Sequence, residues 1–210
     1  MSVLADRLIK TAWRSNSTRI GSIGLDLSLT ELHLVQLKVS ADGRISLHAT
    51  ASVPYPESRD TLLASPKRLR SLVRQAMKVD RFQGKQVVTT LPAGDTRIIP
   101  VSYHVEEGQT DATVLLNLLS DRIDGELADY VIDYMPVRSD ESAADRLAIV
   151  ALARREAVLG YLEVLRKAGL ETRQLEIGPA AIRRLVGAMS PEDRHENVLA
   201  INFGREASYI

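Results

Sequence analysis

One acid interrupts an apolar stretch. Residues 23–39 read IGLDLSLTELHLVQLKV, with Asp26 near the end of a strand-like run and Ser28 and Thr30 just beyond it. An aspartate followed by small hydroxyl residues most simply forms a turn, its carboxylate accepting from the backbone N–H groups that follow. The pattern returns at the far end of the chain. Ile201-Asn202-Phe203-Gly204-Arg205-Glu206 is again an apolar strand with one Asp or Asn, a small residue two positions later and polar residues leading into a second strand. Such an echo is tested first, because missing an internal repeat mis-assigns the fold. The other reactive residues form no catalytic constellation. His33, His48, His104 and His195 lack metal-ligand spacing. Glu106-Glu107 and Asp140-Glu141 are adjacent pairs, and neighbours on a strand point to opposite faces. No nucleophile elbow and no phosphate-binding Gly-Lys loop occurs.

Composition narrows the classes further. The 210 residues suit one large domain or two small ones. Basic and acidic residues balance at 27 each and 45% of residues are hydrophobic, which supplies a globular core and predicts no nucleic acid or other polyanion as partner. Absence of cysteine removes disulfides, thiolate catalysis and cysteine metal sites. No run approaches the ~20 apolar residues that span a bilayer, and the N-terminus lacks the apolar core of a secretory signal; a cytoplasmic protein is expected. Charge is nevertheless segregated: residues 59–85 hold eight basic and two acidic side chains, residues 106–145 eleven acidic and two basic. That distribution suits an electrostatically oriented partner, and equally two solvated faces.

The elements follow from hydrophobic spacing. Residues 1–16 place Leu4, Leu8 and Trp13 at helical intervals among Arg7, Lys10 and Arg14, a segment that could lie on an anionic membrane or pack on the core. Strands are predicted near 20–28, 31–39 and 44–53, the second from Leu32, Leu34 and Leu37 with Val35 and Val39 opposite, and Ala41-Asp42-Gly43 makes a hairpin turn. Ser65-Pro66 opens a helix as N-cap and first helical residue. Its apolar face is Leu69, Leu72, Val73, Ala76 and Val79; Lys67, Arg70, Arg74 and Lys78 line the other, without the interleaved aromatics of single-strand binders. KQVVTTLP is a short buried strand, reached by a crossover. From 94 to 168 comes a βαββα pattern: a strand near 96–105, a helix over 110–123, strands near 130–137 and 146–153 around the acidic loop Ser139 to Asp145, and a helix 155–168 ended by Gly169. A strand at 172–177, a helix opened by Pro179, a polar break over Ser190 to Asn197 and a last strand, VLAINF, complete the order.

Strand-hairpin-strand-helix-strand with an Asp at the first turn resembles the actin-like, ribonuclease-H-type fold, which has two such halves. More narrowly, IGLDLSLTELHLVQLK, TRIIPVSYHVEEGQTDATVLLNLLSDRI, LADYVIDYMPV and IVALARREAVLGYLEVLRKAGLETRQLEIGPAAIRRL resemble, in order, the PilM family of type IV pilus assembly proteins, relatives of the cell-division protein FtsA. The resemblance implies a mixed α/β, actin-like core from residues 17–93 and 169–193, an inserted subdomain at 94–168, and the start of a second half at 194–210. It also implies that the chain is either a fragment or a naturally shortened member.

For the opening residues the resemblance implies a nucleotide site. Asp26 would organise Mg²⁺ and its waters, Ser28, Leu29 and Thr30 would form the turn that cradles the phosphates of ATP, and His33, Asn202 and Gly204 would complete the two opposed hairpins. Three positions depart from the family pattern. Leu29 replaces a small hydroxyl residue, His33 stands where lysine is usual and supplies less charge at neutral pH, and Asn202 replaces a second-loop aspartate. A degenerate nucleotide fold, not an ATPase, is therefore expected. The partner that the resemblance implies is the cytoplasmic tail of a PilN-type inner-membrane protein, with peripheral membrane association through it in a pilus or type II secretion-like machine. The competing readings are an actin-like ATPase and an FtsA-like polymerising protein.

Overall fold

The computed structural model describes residues 18–137, 146–189, 199–203 and 208–209. The segment 1–16, the acidic loop, the polar break and Gly204 lie outside them. Two compact units divide the chain. The first is the described part of Met1–Thr89 with Val164–Leu175; the second is Thr90–Glu163 with the described part of Glu176–Ile210. Against the boundaries expected above, the cut falls inside the helix before Gly169, and the helix after residue 177 belongs to the second unit.

The first unit is a five-stranded sheet ordered β3-β2-β1-β4-β8. Its strands are β1 (Arg19–Leu27), β2 (Glu31–Val39), β3 (Ile45–Pro54), β4 (Gln86–Thr90) and β8 (Glu171–Glu176). The meander β1-β2-β3 is antiparallel, while β4 lies parallel to β1, which is why a helix must intervene. Alternation sets the core: Ile23, Leu25, Leu27, Leu32, Leu34, Ala49, Ala51, Val53 and Val87 are buried, and so are Leu69, Leu72, Val73 and Ala76 of the helix. That helix, Pro66–Met77, packs on β2 and β3.

Several details differ from the pattern read above. Ser65 occupies the N-cap position, but its side chain makes no capping bond. A short helix the spacing did not reveal, α1 (Arg59–Leu63), precedes this one (α2), and there Ser58 Oγ does accept, from the Thr61 N–H at 3.3 Å. Val79 follows the C-cap Lys78 and is 62% exposed, so it leaves the apolar face. On β2 the third inward residue is Gln36, not Leu37, which is 43% exposed at an irregularity in the β2–β3 pairing.

Gln36, 1% exposed, is the buried polar group that ties this unit together. Its amide donates to the Gly21 and Gln83 carbonyls at 2.8 Å each, and its oxygen accepts the Gln83 N–H at 2.9 Å. One side chain thus joins β1, β2 and the loop before β4, with a partner for each polar atom, as burial requires. The edge strand β3 is guarded by Asp80, whose carboxylate accepts the N–H groups of Arg81 (2.7 Å) and Thr50 (3.0 Å). The turn at 40–44 closes as expected, with Gly43 at a φ of 83° and the Asp42 carboxylate receiving Ser40 Oγ and Arg44 Nε.

The second unit holds β5 (Arg97–Tyr103), α3 (Asp111–Ser120), β6 (Tyr130–Val137) and β7 (Arg146–Arg154). The sheet is antiparallel, ordered β5-β7-β6. Val101, Tyr103, Ala148, Val150 and Leu152 bury one face with Leu115 and Leu119 of α3. Thr110 caps α3 by accepting from the Thr113 N–H at 3.2 Å. Arg146 pairs with Asp111 at 2.7 Å beside Tyr103, whose hydroxyl burial pushes above the usual phenol range. The helix α4 (Arg155–Lys167) ends in a Schellman motif: Leu170 N–H bonds Leu165 O, Gly169 N–H bonds Arg166 O, and Gly169 takes a φ of 92°. After it come α5 (Gly178–Met189) and a two-stranded ribbon, β9 (Asn202–Phe203) and β10 (Ser208–Tyr209). The expected strand VLAINF is thus confined, among described residues, to Asn202 and Phe203.

Replacing Gln36 by leucine should leave the Gly21 and Gln83 groups unpartnered in a buried setting, destabilising the first unit by about 2–3 kcal/mol, read as a lower urea midpoint at unchanged slope. The Asp80 carboxyl sits below its ordinary range because it accepts the Arg81 and then the Thr50 amide. A depressed carboxylate stabilises the fold above its unfolded-state value and ceases to do so as pH falls through the folded one. Exchange of the Thr50 amide should therefore be faster in Asp80→Ala than in the native chain at pH 7, and the difference should vanish well below pH 4.

Candidate functional site

The turn between β1 and β2 brings five of the seven expected site residues together. Asp26 opposes His33 across the β1–β2 pair, and His33 opposes Ser52 on β3. Alternation carries all three to the face opposite Leu25, Leu34 and Ala51, so Asp26 is exposed although the stretch around it is apolar. His33 Nδ1 shares a 2.8 Å hydrogen bond with Ser52 Oγ, and its Nε2 lies 4.0 Å from Glu31 Oε1. Ser28 Oγ donates to the Glu31 carbonyl at 2.9 Å, closing the turn. Tyr55 locks the same turn from outside: its hydroxyl donates to Ser28 O and its N–H to Thr30 O, both at 2.9 Å. Leu29 is 46% exposed at the tip. Ser52 and Tyr55 were not singled out from sequence; the signal was register, since Pro54 opposes Glu31 and so places Tyr55 beside the turn.

Asn202 lies on the exposed β9 of the other unit, and Gly204 falls outside the described residues. The turn at 27–31 contains no positive-φ residue, so an anion held there meets a simple turn and not an αR–αL nest. Among the described residues no group of three His, Cys, Asp or Glu could hold a metal ion. With only Asp26 and Glu31 as carboxylates at the turn, a bulky Leu29 and a histidine engaged by Ser52, these residues fit a magnesium–nucleotide complex poorly, and no chemical step is derived through one.

The second unit offers a different kind of surface. Opposite its α3-covered face, the rows Pro100–Ile149–Met135 and Ser102–Leu147–Val137 stand in register across β5, β7 and β6. Ile149, Met135, Leu147 and Val137 are half-buried, Pro100 is exposed and Val131 is 40% exposed. An apolar sheet face left partly open is a surface for a partner to cover. Among the described residues of these rows and their neighbours on the face, Asp133 brings the charge. At its margin Arg155 donates to the Ala128 (2.8 Å) and Tyr130 (3.0 Å) carbonyls, and Arg154 stacks on Tyr130 at 4.4 Å from the ring centre. These arginines hold the start of β6 in place.

Comparison with known proteins agrees with this architecture. Residues 24–209 match the model of the family described as type IV pilus assembly protein PilM. Among solved structures, the chain is similar to one in the "PilM-PilN type IV pilus biogenesis complex", at 25% identity and a TM-score of 0.62, covering 83% of this chain and 51% of that one. It thus spans about half the length of that protein. A weaker likeness, at 19% identity and a TM-score of 0.42, links it to the cytoplasmic domain of EpsL, an inner-membrane component of the type II secretion system of Vibrio cholerae, over 76% of this chain and 57% of that one. Another, at 13% identity and 0.36, links it to the ethanolamine utilization protein EutJ of Carboxydothermus hydrogenoformans, over 80% and 40%. No curated protein matches the chain closely enough to count as a relative. The mixed α/β, actin-like reading of the fold stands.

Tyr55→Phe removes the bond to Ser28 O and should lower stability by about 0.5–1.5 kcal/mol. Hydrogen exchange should show the loss as faster opening of the 28–31 turn, with the sheet interior unchanged.

Proposed function

The chain belongs to the PilM family of type IV pilus assembly proteins, and from that premise we propose that it is a cytoplasmic scaffold of a pilus assembly platform that binds the tail of a PilN-type inner-membrane protein. The observation that carries this reading is the likeness to a protein solved within a PilM–PilN complex. The open face around Ile149 supplies a matching surface. An extended or helical tail docks by laying alternate apolar side chains on such a face while its backbone stays solvated or pairs with an edge. Among the described residues no helix is long and apolar enough to cross a membrane, so in this reading the partner provides the attachment.

We further propose that the chain does not hydrolyse ATP. Phosphoryl transfer relies on positioned metal and cationic groups around the phosphates, and the Asp26 turn provides two exposed or half-buried carboxylates, Asp26 and Glu31, beside a leucine and no lysine or arginine. The hairpin is then retained as framework, its carboxylate and hydroxyls serving the turn.

Calorimetric titration separates the readings. A peptide of a PilN-type tail should bind in the micromolar range, and Ile149→Asp should weaken it at least tenfold, about 1.4 kcal/mol or more. Asp26→Ala should leave the peptide affinity unchanged, and Mg-ATP should give no heat that depends on Asp26. Micromolar ATP binding abolished by Asp26→Ala would restore the ATPase reading, while peptide affinity indifferent to Ile149→Asp would move the docking surface elsewhere.

A further inference from the structure

The outer strands of the two sheets are not alike. Among the described strands, β3 and β8 end the first sheet, and β5 and β6 end the second. An open edge invites pairing with another chain, and charges or prolines within the strand discourage it. β8 carries Glu171, Arg173 and Glu176, β5 carries Arg97 and Pro100, and β6 carries Asp133 and Pro136. β3, ISLHATASVP, holds no carboxylate, lysine or arginine in its ten residues. Its second half is protected by other means: the Asp80 carboxylate occupies the Thr50 N–H at 3.0 Å, and Pro54 has no N–H to offer. Between the halves Gln36 opposes Ala49 while Leu37 opposes Leu47, so His48 is the extra residue of a bulge that bends the strand.

The first half, Ile45 to Leu47, has neither device. The Ser40 N–H bonds the Arg44 carbonyl at 3.0 Å, which turns Arg44 and, by alternation, Ser46 toward β2. The N–H and C=O groups of Ile45 and Leu47 therefore face away from the sheet. Their side chains are 57% and 56% exposed, in rows with Val39 and Leu37. Such a stretch is complementary to itself. Paired antiparallel about Ser46, Ile45 of one copy would exchange both hydrogen bonds with Leu47 of the other, and two-fold symmetry would repeat the pair. The row Leu37–Leu47 would then continue into Ile45 and Val39 of the second copy. The same register carries Arg44, whose side chain is 85% exposed and whose Nε holds Asp42, toward the Asp80 carboxylate at the other copy's edge. An uncharged centre flanked by opposite charges selects a second copy over an arbitrary strand.

We propose that two copies of this chain associate through the Ile45–Leu47 edge of β3, paired antiparallel about Ser46. The contact is small, so the pair is weak and forms as concentration rises. Sedimentation equilibrium of the full chain should show the average mass climbing from one chain toward two as the concentration enters the hundreds of micromolar. Over the same range, exchange of the Ile45 and Leu47 amides should slow severalfold, while that of Ser52, on the protected half, stays constant. Leu47→Pro deletes an N–H that does not point at β2 and should hold the chain at a single-copy mass, with circular dichroism reporting that the sheet persists. The absence of native cysteine allows an independent reading in the otherwise native chain. Ser46 would stand opposite its own counterpart at a non-hydrogen-bonded position, where Cα atoms lie about 4.5 Å apart, within reach of a disulfide. Ser46→Cys should therefore oxidise to a covalent dimer, and Ser52→Cys should not. Four results would overturn the proposal. One is a single-copy mass at every concentration, and another is Ser46→Cys forming dimers no faster than Ser52→Cys. A third is association that survives Leu47→Pro in a folded chain, which would place the interface elsewhere. The last is protection of the Ile45 and Leu47 amides only when a PilN-type tail peptide is added, which would make an extended peptide the occupant.

Discussion

Everything in the first unit follows from the alternation of one antiparallel meander. Leu25 opposes Leu34 and Leu27 opposes Leu32, and both pairs lie buried on the face that carries α2. Because strand side chains alternate with a period of two, burying this row forces Asp26, His33 and Ser52 to the other face. A slip of one residue would send the carboxylate into the core, where an unpaired charge is far too costly to keep. The polar row is thus a consequence of the apolar one. Gln36 holds the arrangement at its irregular end: where the β1–β2 pairing shifts between Ile20 and Ile23, its side chain bonds the Gly21 carbonyl and bridges to Gln83. Regular pairing fails there, and a side chain supplies the missing partners.

Much of this was legible in the sequence, for physical reasons. The Ala41-Asp42-Gly43 turn needs a residue at positive φ and glycine is present; the Gly169 cap needs the same; Pro66 cannot continue a preceding element and so starts one. The alternation of β1 to β3 and the crossover to β4 were equally plain. What escaped is instructive. Reading Leu37 as inward followed hydrophobicity instead of parity, since strict period two from Leu32 and Leu34 selects Gln36. Asp26 interrupts an apolar stretch in sequence, yet its apolar neighbours occupy the opposite face. Helix α1 has five residues, too few for a 3.6-residue period to be visible. The open face of β5, β7 and β6 was hidden for a related reason: both of its faces are rich in aliphatic residues, and only the position of α3 decides which is covered.

The segregated charges also look different once placed. Arg68 pairs with Glu57 and Arg70 donates to the Lys167 carbonyl, so part of the basic run on α2 is engaged within its own unit. In the second unit Asp111 pairs with Arg146, and the Asp129 carboxylate accepts the Glu126 N–H to close a turn. Charges bound into caps, turns and local pairs contribute little long-range field in salt solution. The apolar faces are therefore the better guide to what this protein meets.

Energetics favour the same conclusion. Holding a polyphosphate at a solvent-exposed turn depends on cations and on a metal with several oxygen ligands, and the turn offers the Asp26 and Glu31 carboxylates and an imidazole already bonded to Ser52. An apolar face needs no such assembly. A tail that removes roughly 400 Å² of apolar surface from water gains about 10 kcal/mol at 25 cal/mol per Å². Against this stands the loss of translational, rotational and chain freedom, at least about 4 kcal/mol. The remainder, at most about 6 kcal/mol, corresponds to binding no tighter than tens of micromolar. That strength suits the reversible recruitment proposed above. In the proposed reading the fold keeps its shape without nucleotide chemistry, because the residues that bury the sheet are not those on the Asp26 face.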